Sequence, residues 1–307
     1  MILSVYFLIK KLILSIIFKT SLRKNVTEPS DPEMEPIYLY ILLITGVGVG
    51  FASGLLGVGG CFIMVPVQYW ILRASGFDPS IAIRTAFGTN LLVVLPTAIS
   101  GAYGHHKKGA VLWRAGITLG ITGAVASALG AFVASNMPGR ILTTIFGLAI
   151  LGGAVRMLTA KPPRVEEKPT EKISTYILWG LPLGFACGLI GIGGGVLMVP
   201  VMATILKFRM HSAVGTSTAM MIFTSIGGAI SYMIDGLNVS NLPPYSIGYV
   251  NLLQWILLAG TSVPLAQVGV RTAHRLPAKK LRYIFIAVMV YMALKMIGVF
   301  SWLHLPI

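Results

Sequence analysis

Two glycine clusters carry the most chemistry in this sequence. Gly57-Val58-Gly59-Gly60 and Gly191-Ile192-Gly193-Gly194-Gly195 each stand in front of a short apolar segment. The first N–H groups of a helix have no partner within it, and glycine lets a ligand approach them closely. The positive end of the helix dipole favours an anion at such a place. The expected ligand is therefore a small anion. Its expected contacts are Gly59, Gly60 and Cys61 in the first cluster and Gly193, Gly194 and Gly195 in the second. A further constellation follows each cluster, Arg84…Gly88-Thr89-Asn90 and His211…Gly215-Thr216-Ser217-Thr218. Hydroxyls and amides can donate to an oxyanion, and Arg84 could add a fixed charge with bidentate contacts. Arg84, Thr89, Asn90, His211, Thr216 and Ser217 complete the expected site. Each has a plainer reading beside it. Glycines also allow close helix packing, Arg84 could snorkel to an interface, and hydroxyls could bond the preceding turn. Duplication of the glycine cluster at matching positions favours the ligand reading.

Other chemistry finds little support. No Lys-Ser/Thr follows the glycines, so a phosphate-cradling loop is excluded. No HExxH, GxSxG or paired carboxylate appears, which argues against an intramembrane enzyme. Cys61 and Cys187 form no CxxC or Cys/His pattern and read as small buried hydrophobes. Neither a metal nor a cofactor is expected. The net charge is +15, yet no basic run is interleaved with aromatics, so nucleic acid is not an expected partner.

The elements that must position these residues are membrane helices. Charged residues make up 11% of the chain against roughly 25% in a soluble domain. The runs Tyr38 to Leu72 and Ile173 to Leu206 contain no charge at all. The first run, as one helix, would be about 50 Å long against a hydrocarbon core of about 30 Å. It must break, and the glycine cluster is the natural place. The second arm, Cys61 to Leu72 or Val196 to Leu206, is too short to cross, so the two arms predict a re-entrant hairpin lining a cavity. Pro66 and Pro200 lie in these short arms. Three full spans follow in each half, at about 80–103, 111–134 and 139–158, then 211–234, 247–270 and 280–303.

The two halves are copies. GLLGVGGCFIMVPV at 54–67 and GLIGIGGGVLMVPV at 188–201 share nine of 14 positions. AFGTN at 86–90 matches AVGTS at 213–217, and Pro138, Arg140, Leu142, Ile145 and Phe146 match Pro277, Lys279, Leu281, Ile284 and Phe285. Three blocks in one order argue for duplication. An odd number of crossings would invert the second copy. The predicted fold is thus an all-α integral membrane protein of two inverted repeats. Each repeat is a glycine-broken re-entrant helical hairpin plus three transmembrane helices. The predicted division is a weakly amphipathic N-terminal segment and linker at 1–36, a first repeat at 37–160, a linker at 161–172 and a second repeat at 173–304. Residues 1–19 could lie on the membrane or form a short signal anchor, and both readings stay open.

Loop charge sets the orientation. The loops at 104–114, 156–172, 207–211 and 271–282 hold fifteen Lys and Arg, whereas the opposite side holds Arg73, Arg84, Arg140 and Lys295. The first side, with linker 161–172, is expected in the cytoplasm, and the chain in the cytoplasmic membrane. His105, His106, Lys107 and Lys108 then sit at the cytoplasmic mouth. No Asp or Glu lies well inside a span, and Asp235 stands at a loop edge. That weakens coupling through a buried carboxylate and fits an anionic substrate.

The doubled GLxGxGGxxxxxP block, the two AxGT blocks and the stretch HHKKGAVLWR at 105–114 resemble the sulfite exporter TauE/SafE family of membrane transporters over about 37–300. The resemblance implies transport of sulfur-containing anions such as sulfite or organosulfonates. This sequence departs from the doubled pattern where Cys61 stands opposite Gly195, and in the longer loop around Phe77-Asp78-Pro79. The function expected is secondary transport of such an anion by alternating access, with a passive channel as the alternative. Its partners would be the small anion and the lipid bilayer. Coupling ion and oligomeric state, a homo-oligomer included, stay open. Single cysteines introduced as Lys107→Cys and Lys279→Cys should both resist an impermeant thiol reagent applied outside. Labelling of one alone would overturn the inversion.

Overall fold

The computed structural model describes residues 36–56, 60–159, 172–272 and 278–299. The N-terminal segment, Gly57, Gly59 and all but Lys172 of the linker lie outside the described residues. The chain is an all-helical membrane protein. Its helices are α1 (Pro36–Leu56), α2 (Cys61–Ala74), α3 (Pro79–His106), α4 (Trp113–Asn136) and α5 (Gly139–Thr159), then α6 (Ile173–Ile190), α7 (Gly195–Thr204), α8 (Met210–Asp235), α9 (Leu252–Thr272) and α10 (Ala278–Ile297). Six of them, α3, α4, α5, α6, α8 and α9, are long and apolar enough to cross a membrane. Five are spans expected from sequence, whereas α6 is expected there as a hairpin arm. Of the span expected at 280–303, the described residues give only the shorter apolar stretch Ile286–Ile297. The second arms are short, as expected: α2 has 14 residues and α7 has 10. At 1.5 Å per residue they reach only about 21 and 15 Å. The first arms are longer, with 21 residues in α1 and 18 in α6.

One predicted boundary moves. The span expected from 247 starts at Leu252, because residues 246–251 form a two-stranded hairpin pairing β1 (Ser246–Ile247) with β2 (Val250–Asn251). Asn251 explains the start. Its Oδ1 accepts the Gln254 N–H at 2.9 Å, and its Nδ2 donates to the Pro244 carbonyl and Ser246 Oγ. A side chain that caps the helix and closes the hairpin fixes the boundary between them.

Helix packing follows the duplication residue by residue. α1 lies on α9, and its counterpart α6 lies on α4. A Cβ on Gly46 would meet Thr261 and Leu258, and one on Gly180 would meet Thr122 and Leu119. Gly50 meets the Ser262 backbone as Gly184 meets the Gly123 backbone. The glycines recur every four residues, a small-residue stripe that lets two membrane helices approach closely. α3 also packs on α9 and α8 on α4, while α3 meets α8 at the centre. Gly88 near the start of α3 lies against Tyr232 near the end of α8, and Gly215 near the start of α8 lies against His105. The two central helices therefore run antiparallel.

The polarity of the bundle is that of a protein in hydrocarbon. On α4 the buried face is small, with Ala115, Gly120, Gly123, Ala126 and Gly130, while Ile121, Val125, Leu129 and Phe132 are exposed in a stripe. In water such a stripe would be a large uncovered apolar patch. Lipid covers it without cost, and close packing of small residues holds the helices together. Gly50→Leu should destabilise the protein by about 1–3 kcal/mol or more through overpacking against Ser262. Gly48→Ala, where a Cβ meets nothing within 4 Å, should leave the thermal melt in detergent unchanged.

Candidate functional site

The second glycine break is bracketed by side chains of the first half. α6 ends on Gly191 with φ 59° and α7 begins after Gly194 with φ 92°. Both are left-handed conformations that side chains rarely adopt. A Cβ on Gly194 would also lie 2.7 Å from Met198 Sδ and 2.8 Å from Cys187 Sγ. Asn90 Nδ2 donates to the Gly191 carbonyl at 2.6 Å, and the Gly193 N–H points at Cys61 Sγ at 3.4 Å. Gly191 packs on Phe87 and Gly193 on Val94. The break thus lies against the middle of the 28-residue α3. Gly60, with φ 53°, precedes Cys61 at the start of α2 and packs on Val49. Cys61 and Asn90 are fully buried, and Asn90 Oδ1 has no hydrogen-bond partner. Of the residues expected from sequence, Gly60, Cys61, Asn90, Gly193, Gly194 and Gly195 are gathered here.

A cavity of about 30 Å³ adjoins the first break. Ser53 and Met64, on either side of that break, line it, as does Val94 beneath Gly193. Its polar residues are Ser53, Thr97, Thr218, Ser262 and His105. Thr97 Oγ1 lies 3.4 Å from Ser262 Oγ and bonds the Val93 carbonyl, while Thr218 Oγ1 bonds the Gly215 carbonyl. Rotating hydroxyls can leave such bonds for a ligand. The volume is roughly twice what one water requires. A larger anion fits only if the lining parts.

The other expected residues do different work. Thr89 Oγ1 accepts the Asn251 N–H at 2.8 Å, and its counterpart Thr216 Oγ1 accepts the Leu112 N–H at 3.1 Å. A Cβ on Gly88 would strike the Tyr249 carbonyl, and one on Gly215 the Ala110 carbonyl. Each Gly-Thr pair is therefore a notch that seats the backbone leading into the other half's fourth helix. Arg84 donates to Tyr249 Oη at 3.0 Å and the Met137 carbonyl at 2.8 Å, tying α3, the turn before α5 and the β hairpin together. Ser217 Oγ donates to the Val214 carbonyl within its own helix, and His211 is exposed at the start of α8. Gly59 lies outside the described residues. Sequence reasoning missed Ser53, Thr97 and Ser262 as site residues, because single hydroxyls in apolar runs give no pattern. Thr218 stood inside a quoted motif, and His105 was read only as a charge at the mouth.

These features recur in known proteins. Residues 42–296 match the family described as Sulfite exporter TauE/SafE. The chain belongs to the sulfite exporter TauE/SafE family of membrane transporters. A probable membrane transporter protein of Methanocaldococcus jannaschii is 31% identical over 264 residues, covering 85% of this chain and 96% of that one. One from Haemophilus influenzae is 28% identical, covering 84% and 98%, and one from Bacillus subtilis is 26% identical, covering 78% and 91%. No solved structure matches the chain. The TauE/SafE match spans both breaks and both Gly-Thr notches. In this TauE/SafE protein, Thr89→Val should cost about 1–3 kcal/mol, because it strands a buried backbone N–H, and Thr216→Val should cost less, because the Leu112 N–H it releases is only part-buried. Ser217→Ala, which removes only a bond within its own helix, should cost less in the same denaturation series.

Proposed function

We propose that the chain is a secondary transporter that moves a small sulfur-containing anion, such as sulfite or an organosulfonate, across the cytoplasmic membrane by alternating access. The observation that carries this reading is the meeting of both breaks between the halves. Cys61 of the first break contacts Gly193 of the second, and the hydroxyl-lined cavity begins beside them. The Gly193 N–H points at a sulfur, a weak acceptor. An anion oxygen would be a better partner for it. The N-termini of α2 and α7 add the positive ends of two helix dipoles. Antiparallel α3 and α8 support an inverted pair of repeats, with each short second arm completing a re-entrant hairpin.

The moving units differ from the sequence halves. α9 packs on α1 and α3, and α4 packs on α6 and α8, so each half gives its fourth helix to the other. Rocking would therefore occur between two composite bundles, across the α3–α8 contact. With the lysine- and arginine-rich loops inside, the His105 end of the cavity faces the cytoplasm.

The test is counterflow of labelled sulfite, thiosulfate, taurine and sulfoacetate in proteoliposomes. Wild type should show saturable exchange of at least one of them. The double variant Thr97→Val/Ser262→Ala should lower its apparent affinity by about three- to tenfold per lost hydrogen bond. Flux rising linearly with concentration would make the protein a channel, and no flux of any anion would overturn the reading.

A further inference from the structure

We propose that His105 carries the proton that couples to the anion in the cavity. This rests on the transport reading above and names its driving ion. Among the described helices Asp235, at the end of α8, is the one carboxylate, and its Oδ2 accepts Ser231 Oγ at 3.0 Å. No acid lines the cavity, and of the groups that do, His105 alone changes charge near neutral pH. Its place suits the task. It stands in the last turn of α3, where the helix dipole favours a cation. The same turn faces Gly215 of α8, so the imidazole sits on the contact between the two composite bundles.

The charged neighbours set the direction of the coupling. Lys108 follows in the next turn and His211 faces it from the start of α8. The nearby α9 side chain is Gln267, neutral and bonded to Ser100. Burial first, and then Lys108 and His211, oppose a charge on His105 while the cavity is empty. An anion among the Ser53, Thr97, Thr218 and Ser262 hydroxyls reverses that balance. The imidazole then gains an opposite charge at close range and takes up a proton. Anion and proton bind together, and release of one releases the other. Neutralising the anion also lowers the cost of carrying it through the membrane interior.

The test uses sulfite-loaded proteoliposomes in the neutral to alkaline range, with proton movement followed by entrapped pyranine. One pH unit across the membrane should drive about tenfold accumulation for one proton per anion. His105→Gln should weaken the apparent affinity for the anion, make it independent of pH, and lose that accumulation. His106→Gln, whose ring is exposed and accepts a bond from Trp113 Nε1, should keep both. Accumulation retained in His105→Gln would overturn the proposal, since the proton would then travel on bisulfite itself. Thiosulfate, which does not titrate near neutral pH, gives the second readout: an apparent affinity for it that falls with rising pH as steeply in His105→Gln as in wild type would also overturn the proposal. Counterflow in wild type without pH-driven accumulation sinks the coupling alone. Absence of wild-type counterflow for all four anions overturns the transport reading beneath it; where another of the four exchanges and sulfite does not, that anion replaces sulfite in the same test.

Discussion

The rest of the structure depends on one backbone contact made twice. In each repeat a glycine–threonine pair on the third helix receives the backbone that leads into the fourth helix of the other repeat. Gly88 leaves room for the Tyr249 carbonyl and Thr89 accepts the Asn251 N–H. Gly215 and Thr216 do the same for Ala110 and Leu112. A buried backbone N–H such as that of Asn251 has no water to fall back on. Satisfying it from a fixed threonine therefore fixes where the next helix starts. Because the donor belongs to one half and the acceptor to the other, the halves fold around each other.

The consequence is an exchange of helices that places the breaks. Once α9 is seated on α3, its Thr261 and Ser262 face the glycine stripe of α1. Once α4 is seated on α8, Thr122 and Gly123 face the stripe of α6. The first arms are thus held at their full length against the exchanged helices. The chain reaches each glycine cluster at a depth set by helices of the opposite repeat. The second break lands on the middle of α3, where Asn90 and Cys61 can reach it. No local feature of the cluster could have secured that meeting.

This explains what was legible in the sequence. The break at Gly191–Gly194, the short arms and five of the six long spans are local facts of length and composition, and sequence carried them; α6 reads from sequence as a hairpin arm although it is long enough to cross. The roles of Thr89, Thr216 and Arg84 were not legible. A threonine that donates to a ligand and one that accepts a distant N–H have the same sequence context. Arg84 spends its guanidinium on the Met137 carbonyl and Tyr249, residues 53 and 165 positions away. The cavity hydroxyls were hidden for the opposite reason. Ser53, Thr97 and Ser262 are isolated in their runs and become a group only when α1, α3 and α9 pack together.

The cavity has a matching place on the repeat alignment. On the repeat alignment Ser53 corresponds to Cys187, Met64 to Met198, Thr97 to Thr224, Thr218 to Leu91 and His105 to Tyr232. At that second place the space is filled. Tyr232 is fully buried and donates to the Gly188 carbonyl at 3.1 Å, Leu91 lies against Gly228, and Met198 covers Gly194. Two repeats with one backbone plan thus present one open and one closed lining. Under the proposed alternating-access cycle, the open lining would mark the side from which the anion enters, and the closed one the barrier. A tyrosine in the barrier where the open side has a histidine gives the two sides different chemistry. The proton would be exchanged at the His105 end, and the Tyr232 end would have to open by moving a phenol off a helix carbonyl. The closed lining therefore starts with a hydrogen bond to break, that of Tyr232 to the Gly188 carbonyl.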